Sequence, residues 1–509
     1  MTNLAIGFDN DKYLQEQTAA ILDRVQRAEG KLYLEFGGKL TDDQHAARVL
    51  PGYDPNVKMR LLQGLRDQVE VIFAVHAADV EEGRIRGDYR VTYDVATFRA
   101  LDDLREWKIP VKAVVLTRFQ EGANINRFIR QLTQQGIEVY KQSAIPGYPN
   151  DVDLIVSDEG YGRNACVETN APLVVVTGPG PGSGKMAICL SQLYHDHRCG
   201  LPSGYAKFET FPIWDLPLDH AVNVAYEAAT VDLNDRVLID PFHLRAYGKT
   251  VANYNRDIES FPILKAILDR INKIRPTALM YQSPTDMGVN RAGAGIVDDE
   301  VVCEASRQEI IRRFFRHRWE ARRGLVAPEV HERAEQLMLR LSLSPTDRPV
   351  VQPARDTAKS AETSGGGSEG LCCGAAIALA DGTMITGKNS PLLHSASAAL
   401  INAVKHLAGI PDQIHLLPAT MVESLTEFKS TVLGSSAPSL NVQELLVALG
   451  ISAANNPAAK AGVEVLSQLR GAQMHLTHEP GPGDETGLRK LGIVMTTDAT
   501  PTRQGYFLR

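Results

Sequence analysis

Residues 173–193 read LVVVTGPGPGSGKMAICLSQL, a β-branched apolar run, a glycine-rich turn closing on Lys185, and an apolar-periodic continuation. Three consecutive valines suit a strand buried on both faces of a parallel sheet, and the residues after Lys185 suit a helix packed back on it. The first N–H groups of that helix lack intrahelical partners, so the turn is a natural anion site. Gly178, Gly180, Gly182 and Gly184 let a phosphate approach the backbone beside Ser183, and Lys185 adds a point charge. An α/β architecture with a ligand at a strand end follows from this stretch more directly than from any other.

The pattern resembles the nucleotide-binding P-loop, G-x-x-x-x-G-K-[ST], with two departures. Counting back from Gly184, Pro179 occupies the first glycine position, so Gly178 serves only if the loop is one residue longer. Met186 stands where a Ser or Thr would hold Mg²⁺, and a thioether is no ligand for a hard cation. A plain strand-to-helix turn would need the glycines but not the lysine. Phosphate is therefore the expected ligand, with the metal less well marked.

With 509 residues the chain exceeds one hydrophobic core, and roughly two to four domains are expected. No apolar run approaches the ~18 residues that span a membrane, and MTNLAIGFDNDKYLQEQ has neither the basic nor the apolar region of a signal peptide. Six scattered cysteines without C-x-x-C spacing fit reduced thiols in the cytoplasm. A net charge of −7 gives no reason to expect nucleic acid as the main partner.

Ahead of the glycine loop, strand-like runs at 32–36, 69–76, 111–119, 137–140 and 151–156 alternate with helical periodicity at 12–27, 95–107 and 124–135. Such alternation implies parallel strands with helical crossovers, Rossmann-like or P-loop-like. The first strand ends in Gly37, Gly38 and Lys39, a second Gly-Lys turn that would face the same crevice if both strands share a sheet; a tight turn with a solvent lysine fits equally well. The P-loop-like strand is then about the sixth. Either a second α/β domain begins near residue 150, or the loop belongs to one large sheet. The divisions expected are an N-terminal Rossmann-like domain at 1–150, a phosphate-binding domain at 151–325, a linker helix at 326–345 and a C-terminal domain at 346–509.

Beyond the loop, His195 and His197 are two apart and would not face each other on a helix, so no zinc is expected there. The run RVLID ends in Asp240, where a P-loop enzyme places the acid that orders Mg²⁺; a helix cap accounts for the same pattern. NYNRDIE carries Asn255, Arg256 and Asp257, and SPTDMGVNR packs Asp286, Asn290 and Arg291 among small residues in a loop, which suits substrate contacts. Arg84, Arg86 and Arg90, among acids, read as a solvated, internally paired loop. The arginine-rich amphipathic helix at 304–323 reads as a solvated face or a subunit interface rather than a nucleic-acid contact, and a homo-oligomer is expected.

In the C-terminal third, a hairpin at 373–387 turning at Asp381-Gly382 is followed by an alanine-rich helix from Ser395. This order resembles the core of the cytidine deaminase-like fold. The deaminase zinc motif pairs His (or Cys)-x-Glu with Pro-Cys-x-x-Cys; here His394 is followed by Ser395 and Ala396, and no Cys pair follows. The resemblance therefore implies a degenerate domain used for binding or assembly, without zinc. His475, His478, Asp484 and Glu485 match no metal spacing and are assigned surface or interface roles.

Over its whole length, through segments such as FGGKLTDDQHAARVLPG, NVAYEAATVDLND, NYNRDIESFPIL and TGKNSPLLHSASAALINAVKHLAGIPD, the chain is similar to a widespread bacterial family whose biochemical role is uncharacterised. The resemblance implies no activity. Two readings follow from the residues. One is a phosphotransferase or nucleotide hydrolase binding ATP or another nucleotide, with Lys185 on the phosphates and Asp240 on Mg²⁺. The other is a non-catalytic sensor of a nucleotide or sugar phosphate, which Met186 favours. A bare scaffold would have no use for two Gly-Lys turns at strand ends.

Overall fold

The computed structural model describes residues 6–86, 91–277, 279–368, 370–435 and 438–501. They divide into two compact units, Ala5–Ser306 and Arg307–Arg509.

The first unit is built on one seven-stranded sheet. In chain order its strands are β1 (Lys31–Phe36), β2 (Val69–His76), β3 (Val111–Thr117), β4 (Glu138–Lys141), β5 (Leu173–Thr177), β6 (Ser203–Phe208) and β7 (Gly288–Val289). All pairings are parallel, and the spatial order is β7-β6-β1-β5-β2-β3-β4. Each crossover carries helix, as parallel neighbours require. Every residue of β5 is buried, because helices cover both faces of a central strand.

This order removes the expected boundary near residue 150. β5 lies between β1 and β2, so strands from both sides of that boundary share one ladder and one core. The single large sheet is the alternative the structure takes up. The run 151–156, expected as a strand, is a short helix (Val152–Ile155) capped by Asp151. Two strands of the sheet, β6 and the two-residue edge strand β7, carried no strand expectation.

The two units divide at Ser306, within the helix Asp299–Arg322, and not at the expected linker; residues 328–340 form a helix of the second unit. That unit contains a four-stranded mixed sheet of β8 (Gly374–Ala378), β9 (Met384–Lys388), β10 (Gln473–His478) and β11 (Val494–Thr500), ordered β9-β8-β10-β11. β8 is antiparallel to both neighbours, and β10 and β11 are parallel. The helices Val351–Thr363 and Ser395–Leu407 contribute Ala354, Ala399 and Ala403 to its cores, small residues that let helix and strand approach closely. His475 and Asp484, assigned surface or interface roles from the sequence, are buried. His475 packs against Phe315, and Asp484 accepts hydrogen bonds from Val442 N (2.9 Å) and from His394 (2.7 Å).

Candidate functional site

In a parallel sheet every strand ends on the same edge, and ligands gather where the strand order reverses. Here β1 to β4 run outward in one direction, β5 returns into the gap beside β1, and β6 and β7 continue on the far side. The loops after β1, β5 and β6 therefore leave adjacent strands along one edge. They carry Gly37-Gly38-Lys39, the glycine loop, and Glu209 respectively.

The glycine loop joins β5 to the helix Lys185–Arg198, whose N-cap is Gly184 in the left-handed conformation (φ 91°). A side chain there is excluded twice, by that φ and by Thr117, whose Cγ2 would lie 2.7 Å from an added Cβ. The end of β3 braces the loop: Thr117 Oγ1 donates to the Ser183 carbonyl (2.8 Å) and Arg118 Nη2 to the Gly182 carbonyl (2.9 Å). Lys185 is the first helical residue, and its Nζ reaches back to the Gly180 carbonyl (3.3 Å). Burial pushes its ammonium below the ordinary lysine range, against the pull of Glu35 and Glu209. Ser183 is 2% exposed, and among the described residues its hydroxyl has no hydrogen-bond partner. Met186 packs on the hydrophobic core.

Beside the loop stands a buried cluster of charge. Lys207 Nζ, at the end of β6, lies 2.6 Å and 2.7 Å from the two oxygens of Asp257, 2.7 Å from Glu209 Oε1, and in hydrogen-bond contact with the Tyr254 hydroxyl. Tyr254 in turn donates to Glu209 Oε1 (3.2 Å). On the neighbouring strand, Glu35 Oε2 accepts from Tyr205 (2.7 Å). Gly37 makes room for this corner, since an added Cβ would sit 3.0 Å from Glu209 Oε2. Burial works against the Lys207 charge, but Asp257 and Glu209 outweigh it and raise its pKa well above the ordinary value. Glu209 is itself raised, first by burial and then by Asp257 and Glu35, against Lys207. Glu35, Glu209 and Asp257 face the ammonium groups of Lys185 and Lys207, so this corner holds more carboxyl groups than ammonium groups.

The expected site residues fall into two groups. Gly178, Gly180, Gly182, Ser183, Gly184 and Lys185 form the turn, and Lys39 follows the adjacent strand. Asp240 belongs elsewhere: Val237–Ile239 pairs antiparallel with Ala252–Tyr254, outside the main sheet. Its carboxylate is 0% exposed and caps the helix Pro241–Tyr247, accepting from Phe242 N (2.9 Å), His243 N (3.0 Å) and Thr285 Oγ1 (2.7 Å). Those donors take the oxygens a Mg²⁺ ion would need. Asp286 accepts from Tyr247 (2.9 Å) and Gln282 N (3.1 Å). Asn290 donates to the Thr210 and Pro212 carbonyls (3.2 and 2.9 Å), holding the segment after Glu209, and Arg291 is exposed. SPTDMGV is not a loop but a short helix and the edge strand β7. His195 and His197 bond backbone carbonyls, Arg84 pairs with Asp79 (3.1 Å), and Arg90 lies outside the described residues.

Glu35, Lys207, Glu209 and Tyr254 had no place in the sequence reading. Tyr205, Lys207 and Glu209 alternate along SGYAKFE, so the strand period itself puts them on one side, and that was the available signal.

Two family models account for almost the whole chain: "Domain of unknown function DUF1846, N-terminal" matches residues 6–342, and the corresponding C-terminal model matches residues 346–507. The chain belongs to the DUF1846 family. Among its relatives, the UPF0371 protein of Clostridium botulinum strain Loch Maree / Type A3 is 51% identical over 495 residues, covering 97% of this chain and 98% of the other. That of strain Alaska E43 / Type E3 is 49% identical over 505 residues, covering 99% and 100%. The two DUF1846 models meet between residues 342 and 346, whereas the compact units part at Ser306. Among the described residues of this DUF1846 chain, no helix is long and apolar enough to cross a membrane.

Proposed function

We propose that the protein binds a phosphorylated ligand, of which a nucleoside triphosphate such as ATP is the leading candidate, at Gly178–Lys185, and transfers or hydrolyses its terminal phosphoryl group in the cytoplasm. One observation carries this reading: the glycine loop opens a 14-residue helix at the reversal point of the sheet, with Lys185 in its first turn and an acid–lysine cluster alongside. The helix N-terminus and loop N–H groups supply donors for phosphate oxygens, and Lys185 supplies charge.

The part first given to Asp240 passes to Glu35 and Glu209. Both lie within electrostatic reach of Lys185, and carboxylates there would hold Mg²⁺ between protein and phosphate. A bound Mg²⁺ would neutralise charge developing on the transferred group. Lys207 keeps Asp257 and Glu209 paired in the ligand's absence. Asn290 positions the segment that follows Glu209.

A second reading, a sensor of a nucleotide or sugar phosphate without chemistry, is favoured by Met186, which gives the core an apolar side chain where a metal-binding hydroxyl would stand. The second unit, with small-residue packing and no zinc-type cysteine pair, would serve assembly in either case, including assembly of a homo-oligomer.

Thermal unfolding against ATP, GTP, NAD and sugar phosphates, with and without Mg²⁺, tests the proposal. A ligand at a hundred times its dissociation constant adds about 2.7 kcal/mol. Stabilisation by a triphosphate that needs Mg²⁺ is the expected result. Stabilisation only by a metal-free phosphate ester selects the sensor, and no response to any of them leaves the loop a packing turn.

A further inference from the structure

Outside the glycine loop, three side chains from two segments distant in sequence converge. His220 caps the helix Ala221–Ala229, and Asp299 and Cys303 stand one turn apart at the start of Asp299–Arg322. His220 Nε2 is 3.0 Å from Asp299 Oδ1, Cys303 Sγ is 3.5 Å from His220 Nε2, and Cys303 Sγ is 3.7 Å from Asp299 Oδ2. One ligand atom from each lies within 4.8 Å of the others.

We propose that these three residues form a binding site for a thiophilic divalent cation of the zinc class. Zinc bonds of roughly 2.0–2.3 Å to nitrogen, oxygen and sulfur, set at tetrahedral angles, put donor atoms about 3.3–3.6 Å apart. The His220–Cys303 separation of 3.5 Å falls in that range and the His220–Asp299 Oδ1 separation of 3.0 Å just below it, while one atom from each of the three residues lies within 4.8 Å of the others, so side-chain adjustments of about 1 Å complete the geometry. The donor set selects the metal: thiolate with imidazole excludes Mg²⁺ and Ca²⁺, and a single carboxylate suits Zn²⁺. Three protein ligands leave the fourth position to water or to an incoming group, the arrangement of open zinc sites. No motif spacing could reveal it, because 79 residues separate His220 from Asp299.

The proton balance is explicit. His220 Nδ1 accepts from Val222 N at 3.3 Å, so Nε2 carries the ring proton and donates to Asp299. On metal binding the ring proton moves from Nε2 to Nδ1 and that long contact is given up. The Cys303 thiol releases one proton to solvent as its sulfur bonds the metal, and no oxidant or reductant is needed.

The test uses the full chain, dialysed against micromolar zinc and then analysed for metal per chain, with cobalt absorption as a second readout. The wild type is expected to retain one zinc per chain and, with cobalt, to show a thiolate charge-transfer band. Cys303→Ser and His220→Gln should weaken binding by more than about 100-fold, since loss of an outer-shell partner alone costs 10- to 100-fold. Cys199→Ser, an exposed thiol elsewhere, should change nothing. Cys303→Ser is nearly isosteric and decides the matter if His220→Gln fails to fold. The proposal is overturned if the wild type retains no metal and shows no thiolate band, or if Cys303→Ser binds as the wild type does.

Discussion

Lys207 sits in a buried corner between Asp257, Glu209 and Tyr254, and its charge is the counterweight to both carboxylates. Replacing it by Met keeps much of the volume and removes the charge, leaving two acids in a site that water reaches poorly. Breaking a buried pair from one side costs about 3–5 kcal/mol. Urea unfolding of Lys207→Met should show a loss of that order, with Glu209→Gln costing less because Asp257 still pairs with Lys207 through both oxygens. Equal losses in the two variants would contradict the charge balance. These residues were partly legible. Asp257 stood in a segment dense with polar groups, and Lys185 was explicit, but Lys207 and Glu209 lie in SGYAKFE, which shows too few large apolar residues to read as a strand. β6 is nonetheless fully buried, because Tyr205 and Lys207 bury apolar stems and pair their polar tips inside. Asp240 misled for the opposite reason. An apolar run ending in an acid looks the same whether the acid caps a helix or holds a metal, and only the antiparallel ribbon it belongs to separates the two.

At the scale of the element, the strand-to-helix turn depends on backbone conformations that L side chains resist. Gly182 (φ 74°) has open space around it, whereas Gly184 (φ 91°) would drive a methyl into Thr117. Gly182→Ala should therefore cost about 1–2 kcal/mol from conformation alone. Gly184→Ala should cost more, by a further ~1 kcal/mol or above for the overpacked contact, and should weaken ligand binding by displacing the first helical turn. Paired urea melts of the two variants check the order, and a larger loss in Gly182→Ala would refute it. The turn was readable because valine runs, clustered glycines and a helical continuation each point to one geometry. The position of β5 was not. Local pattern assigns a strand but not its neighbours, and the return of β5 between β1 and β2 is a pairing of residues far apart in the chain.

On the scale of the whole molecule, the second unit should be acid-sensitive. Burial holds the His475 and His478 pKa values below the ordinary value, opposed by Asp498. Asp498 is lowered because Arg355 and His475 outweigh its burial. A depressed folded-state pKa means the unfolded chain takes up protons first. The histidine contribution is thus complete above about pH 6.5 and is lost as pH falls below it; the Asp498 contribution is complete above about pH 4 and is lost further down. The unfolding temperature should fall between about pH 6.5 and 5, and His475→Gln should flatten that slope; an unchanged slope would contradict the role given to His475.

The central claim rests on Lys185 acting on a phosphate. Isothermal titration of the best-stabilising phosphorylated ligand into wild type and Lys185→Ala tests it most directly. Loss of one charge-assisted contact costs about 1.5–3 kcal/mol, so the variant should bind roughly 10- to 150-fold more weakly. Equal affinity in the two proteins would mean that the ligand does not sit on the glycine loop.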